Sequence, residues 1–190
     1  VHHDIWDYDV PSQPTFYDVK KDGKMIKALA QTTKMGFVFL LNRETGEPIF
    51  PIEERDVPQG AVEGDYVTKT QPFPTKPKPL TPTYLDPDDV FGFTPWDRGY
   101  CKKAAQDLRN EGLYTPPSLE GSVHYPSAIG GANWGGPAID YSRNILIANT
   151  MNLSSTIVMV PRSECEKALK ELARDSVQSR FSALQQNEGT

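Results

Sequence analysis

The chain has 190 residues, enough for one ordinary domain with a core of its own. Its net charge of −5 excludes the basic footprint of a nucleic-acid binder, so no nucleic acid is expected among its partners. A hydrophobic content of 37% with eight Tyr, eight Phe and three Trp excludes a disordered chain, and 17 prolines argue for short strands and long ordered loops over a helix bundle.

The first segment, HHDIWDYDVPSQP at 2–14, sets two histidines and three carboxylates among Trp6 and Tyr8 and ends on Pro11 and Pro14. Polar groups kept among aromatics must be paired or serve a ligand. A site-like motif at residue 1 is expected to belong to a longer protein. Thr15 to Val19 and Met25 to Thr32 read as two strands around a turn with Asp22-Gly23, a strong hairpin signal. Gly36 to Leu41 is apolar on both faces and belongs between other strands or stacked sheets. Asn42 to Glu47 is its turn and Pro48 to Ile52 the return strand. Four short antiparallel strands in about 40 residues make a sheet the size of one propeller blade.

From Glu53 to about Thr94 the strand pattern stops, and the proline run at 72–79 excludes an interior strand or a helix there. A loop of that length is functional or covers another surface. Thr94 as cap and Pro95 at the first turn open a helix that runs to about Asn110 and stops at Gly112. Short strands return at Gly121 to Tyr125, at Ala138 to Asp140 paired with Ile145 to Asn149, and at Ser155 to Val160. Ser163 and Glu166 form a capping box for a final helix, 163–190, with an apolar stripe at Leu169, Leu172, Val177, Phe181 and Leu184. No apolar run approaches the roughly 20 residues of a membrane span. Cys101 and Cys165 make neither a CxxC pair nor a disulfide framework and read as free, small core residues.

Four residues carry the candidate chemistry. Trp6 and Tyr8 are placed to reduce the solvation of Asp7 and strengthen it as a base; a strand-end carboxylate or turn cap is the alternative. Lys34 stands at the head of the buried-looking strand, with a solvated strand-end lysine as the alternative. Asn149 ends an apolar strand and must satisfy its amide with backbone or ligand. Trp134, followed by Gly135 and Gly136, offers a flat face for close approach, or packs in the core. His2 and His3 have no specific metal spacing and read as structural or surface residues.

The motifs HHDIWDYDVPSQP at 2–14, TKMGFVFLLNRETGEP at 33–48, VPQGAVEGDYVTKTQPF at 57–73, EGLYTPPSLEGS at 111–122, NWGG at 133–136 and ILIAN at 145–149 resemble the pyrroloquinoline quinone (PQQ)-dependent quinoprotein dehydrogenases, most closely their glucose dehydrogenase branch. The resemblance runs to about Arg162. It implies an all-β fold with two added helices: two to three blades, each a four-stranded antiparallel sheet, of an eight-bladed β-propeller. Residues 1–162 would be the partial propeller, with the Pro-rich loop and helix inserted at about 53–115, and 163–190 an amphipathic helix and tail. NRETGEPIF at 42–50 looks like the blade-docking repeat of the family, with Asn42 for its Asp and Phe50 for its Trp.

By the same resemblance Asp7 is similar to the catalytic base, Lys34 to the cation at the quinone carbonyl oxygens, and Asn149 to the amide on that edge; Trp134 is a further cofactor-binding candidate. The implied reaction oxidises a sugar or polyol hydroxyl, glucose to gluconolactone first among them, with ubiquinone as electron acceptor. Quinate, shikimate or another polyol is the alternative substrate, and Asn133 stands where glucose-specific relatives can carry an acidic residue. A non-catalytic propeller scaffold is the alternative of another class. The implied divalent metal, calcium or magnesium, takes its ligands outside this chain, as do the remaining blades and an inner-membrane anchor in the periplasm. The isolated chain is expected to be inactive.

Overall fold

The structure, a computed structural model, describes residues 1–162, 164 and 165. The helix expected over 163–190 therefore lies almost wholly outside the described residues. Eleven short strands and one α-helix are found among them. All the strand ladders are antiparallel, as expected for propeller blades.

The first expected hairpin is divided. Strands β1 (Thr15–Phe16) and β4 (Ala28–Thr32) pair with each other, while β2 (Val19–Lys21) and β3 (Lys24–Ile26) form a separate two-stranded ribbon. The break falls at Asp18, whose carboxylate accepts the Ala28 amide at 3.3 Å and binds Arg43 at 3.0 Å. A side chain that takes a ladder donor interrupts the ladder there.

Strand β5 (Val38–Asn42) completes a three-stranded sheet in the order β1-β4-β5. The expected four-stranded blade is thus one strand short: its last strand is reduced to a single bridge between Leu41 and Pro48. Pro48 and Pro51 have no N–H to extend that ladder. Side chains alternate across β5 as the sequence pattern requires. Val38 and Leu40 join Val19, Ala28, Ala30 and Ile49 in one buried cluster. Phe37 faces the other, with Trp6, Tyr8, Met35, Val57, Leu113 and Tyr114, and Phe39 packs against it. The strand is the wall between two cores.

Two turns use the same device. Asn42 Oδ1 accepts the Glu44 amide at 2.9 Å, and Asp140 Oδ1 accepts the Ser142 amide at 2.9 Å. Each is a side-chain turn that reverses the chain into its partner strand. Phe50 packs against the second cluster, with the Lys21 and Lys76 ammonium groups 5.6 and 5.8 Å from its ring centre.

The strand-free stretch expected after Glu53 is overturned by a hairpin of β6 (Ile52–Asp56) and β7 (Thr70–Pro74). Pro72 and Pro74 stand two apart, so their missing donors share one edge. The amide of Thr75 on the opposite edge donates to Pro51 O, and among the described residues β7 has no strand partner but β6. The prolines therefore leave the β6 ladder intact and blunt an open edge.

Helix α1 (Pro95–Asp107) starts at Thr94, whose hydroxyl accepts the Asp97 amide, and ends three residues before the expected Asn110. Its only buried residue is Ala105. Cys101 on it is free but exposed, not a core residue, and Cys165 is half-buried. Strand β8 (Ser122–His124) pairs with β11 (Ser155–Ile157), and β9 (Pro137–Asp140) with β10 (Ile145–Ala148). No described helix is long and apolar enough to cross a membrane.

Candidate active site

Trp6 and Tyr8 turn inward and Asp7 and Asp9 turn outward. The Trp6 indole donates to Thr115 O at 2.8 Å, the Tyr8 hydroxyl to Pro126 O at 2.6 Å, and both rings are buried. Tyr8 and Tyr114 hold their phenol protons above the usual tyrosine range because burial disfavours the anion. The chain makes this reversal with Asp7 at φ 62°, a left-handed conformation that Asp tolerates better than most residues. The expected desolvation of Asp7 by its neighbours is corrected by this geometry: its side chain is 67% exposed.

Lys34 lies in the turn between β4 and β5, earlier than the strand head expected, because β5 begins only at Val38. The Thr33 amide donates to Phe37 O at 3.0 Å and the Gly36 amide to Thr33 O at 2.9 Å, which closes the turn. Far from being a solvated strand-end residue, Lys34 has a side chain only 8% exposed. Its ammonium donates to Asp7 Oδ2 at 3.0 Å and also pairs with Asp9 Oδ1. Burial alone would favour the neutral amine, but the hydrogen bonds to Asp9 and Asp7 outweigh it and hold Lys34 above the ordinary lysine range.

A glycine pair seats this lysine. A side chain at Gly130 would stand 2.5 Å from Lys34 Cγ and 2.7 Å from its Cα. The Gly131 amide donates to Lys34 O at 2.6 Å, and Met151 donates in turn to Gly131 O at 2.9 Å. The segment just after Asn149 is thereby tied to the Lys34 turn through one glycine. Asn149 itself follows β10 and is exposed, not buried as the strand pattern implied, and its amide makes no hydrogen bond within the described residues.

Trp134 is 82% exposed, so core packing is ruled out for it. It lines an open cavity of about 510 Å³ with Gln13, Phe16 and Tyr141, to which Asp7, Lys34 and Asn149 do not contribute. The structure thus brings Asp7 and Lys34 into contact, ties the Asn149 segment to them through the backbone, and leaves Trp134 apart. His2 pairs with Glu54 at 3.0 Å and His3 with Asp65 at 2.7 Å, both near the surface. The bond from His2 lowers Glu54, and that from His3 lowers Asp65, below the usual carboxylate range.

Two residues of this site had not been singled out. Asp9 shares the alternation of Asp7, two positions on, which is a legible signal. His124 sits in β8 at 3% exposure, with its ring centre 5.0 Å from that of Tyr8 and neither ring nitrogen partnered among the described residues. Burial and the Lys34 charge push its imidazole down to about 4, so it is neutral at pH 7. Nothing in the alternation of a three-residue strand marks such a histidine.

Residues 1–190 match the family model for the β-propeller domain of PQQ-dependent glucose, ethanol and alcohol dehydrogenases. The chain is 44% identical over 164 residues to a quinoprotein glucose dehydrogenase of Gluconobacter oxydans, a match that covers 85% of this chain. It is 40% identical over 152 residues to the glycerol dehydrogenase large subunit of the same species, covering 78% of the chain. A quinate/shikimate dehydrogenase (quinone) of Acinetobacter baylyi is 33% identical over 164 residues, covering 86%. The chain spans about 20% of the length of each of these relatives.

Proposed function

Because the chain belongs to the PQQ-dependent dehydrogenase β-propeller family, we propose that it is a segment of a quinoprotein dehydrogenase that oxidises a sugar or polyol hydroxyl. The observation that carries this reading is the Asp7–Lys34 pair: a well-exposed carboxylate held 3.0 Å from a nearly buried ammonium. A propeller kept only as a scaffold needs neither the buried charge nor its open partner, since an ion pair of this kind adds little stability of its own.

Oxidation of an alcohol removes a hydroxyl proton and a hydride. Asp7 is open to solvent and takes the proton at its carboxylate. Lys34 keeps a positive charge beside it and would stabilise the negative charge that a bound quinone gains on accepting the hydride. Toward a flat anionic cofactor Lys34 would supply the charge and the exposed Asn149 a free amide, while the Gly130–Gly131 turn, packed on Lys34, keeps that lysine in place. PQQ, when bound, supplies the hydride acceptor. Calcium or magnesium would be held from outside this chain. Among the described residues no three His, Cys, Asp or Glu side chains are grouped to hold a metal.

Glucose is the substrate proposed first, with ubiquinone as acceptor and a periplasmic, membrane-anchored parent protein; the relatives named for glucose support the substrate. Glycerol or quinate is the second reading, favoured by relatives with those names and by Asn133, whose amide is turned back onto Ile129 O. The full-length protein, loaded with PQQ and calcium, decides between them by dye reduction with glucose, glycerol and quinate in parallel. Glucose is expected to be turned over best. Preference for another of the three replaces glucose, and no turnover with any alcohol removes the dehydrogenase reading.

A further inference from the structure

Lys34 has two counterions, and the proposed reaction uses one of them up. When Asp7 accepts the hydroxyl proton its carboxylate becomes neutral. Lys34, 8% exposed, would then be a nearly buried cation without a counter-charge. An unpaired charge in such a place is costly, and the ammonium would either lose its own proton or swing out of position. The structure contains a second carboxylate at that ammonium, Asp9, 55% exposed and not needed to take the proton.

We propose that Asp9 is a positioning residue of the active site: a standing counterion that keeps the Lys34 ammonium charged and aimed while Asp7 gains and loses its proton. The inference rests on the roles given above to Asp7 and Lys34. Its geometry is independent of them. Asp7 and Asp9 leave the backbone on the same side because Trp6 and Tyr8 occupy the other. Among the described residues Lys34 faces Asp7 and Asp9 from the N-terminal segment, His124 from β8, and the uncharged Gly130–Gly131 turn. His124 is neutral above about pH 4 and cannot neutralise the ammonium. If Asp7 alone were the counterion, Asp9 would have no reason to meet the same nitrogen.

The test uses the full-length protein with Asp9→Asn, which keeps size and shape, and Asp9→Glu, which restores charge. In the cofactor-free protein, acetylation of Lys34 is followed by peptide mass across pH. The plateau rate reports access and the midpoint reports charge. Asp9→Asn should move the midpoint to lower pH, raise the rate at pH 9 at least about threefold, and leave the plateau unchanged. In the loaded enzyme at saturating cofactor, kcat should fall roughly tenfold, the worth of one hydrogen bond to a charged group, and Asp9→Glu should recover most of it. An unmoved midpoint, or a wild-type kcat in Asp9→Asn, overturns the proposal. Should Asp7→Asn prove fully active, the catalytic reading falls instead, and the labelling midpoint still decides whether Asp9 holds Lys34.

Discussion

Gly130→Ala is the substitution that most directly probes how the fold holds Lys34. A new methyl group at this position would lie 2.5, 2.6 and 2.7 Å from Lys34 Cγ, Cβ and Cα. Carbon atoms rest about 3.5–4.0 Å apart, so the overlap is roughly 1 Å against three atoms, one of them backbone. Overpacking of this kind costs about 1–3 kcal/mol. Gly130 also sits at φ 82°, where an L side chain costs about 1–2 kcal/mol more. The sum is about 2–5 kcal/mol, a large share of the stability of a small domain. Gly23→Ala is the control: φ is 77° but nothing lies within 4 Å, so only the backbone cost applies. Urea unfolding of the chain, read by fluorescence of the buried Trp6, compares the two. Gly130→Ala should be less stable than Gly23→Ala by about 1–3 kcal/mol, or unfolded where the control is folded. Equal stabilities would refute the seating of the 130–131 turn on Lys34.

Asp7→Asn in the full-length enzyme should lower turnover by at least about 100-fold, the scale of a lost general base, with cofactor binding retained; near-normal turnover would refute the assignment. His124 makes stability depend on pH in a defined window. Its imidazole is held at about 4 in the fold and returns to about 6.5 on unfolding, so the unfolded chain binds the extra proton between those values and stability falls as pH drops. At pH 5 the loss is roughly 2 kcal/mol relative to pH 7, and His124→Leu should flatten the slope of urea midpoint against pH; an unchanged slope contradicts the buried neutral imidazole. The isolated 190-residue chain should bind PQQ no better than about millimolar, because the Lys34 ammonium is already paired with Asp7 and Asp9 and the exposed Asn149 amide is screened by solvent; micromolar binding in calorimetry with calcium would show a more self-contained site.

Much of the sheet structure was legible because period-two patterning and turn chemistry act locally. Gly36 to Leu41 shows two apolar faces and duly separates two cores. Thr94-Pro95 marks a helix start on the residue that caps it. The failures arose where one side chain overrides a local pattern. Asp18 takes a ladder donor and splits a hairpin, and Pro72 and Pro74 are tolerated because both missing donors face an open edge. Strand pairing across a 13-residue gap, from Asp56 to Thr70, leaves no mark in either segment. At the site, motif resemblance singled out Asp7 and Lys34, which the structure brings into contact, but the expected desolvation of Asp7 failed: its carboxylate is open while the lysine is enclosed. Side-chain direction at Asp7 depends on a left-handed backbone angle, and enclosure of Lys34 depends on glycines almost 100 residues away.

Lys34 and Asn149 should form one edge of a PQQ site, with Asp7 beside it as the base. A crystal structure of the full-length protein with PQQ bound tests it most directly. The Lys34 ammonium should lie within about 3 Å of a quinone carbonyl oxygen, the Asn149 amide on the same edge, and the Asp7 carboxylate should face the space left for the substrate hydroxyl. A bound quinone that touches neither Lys34 nor Asn149 would contradict it.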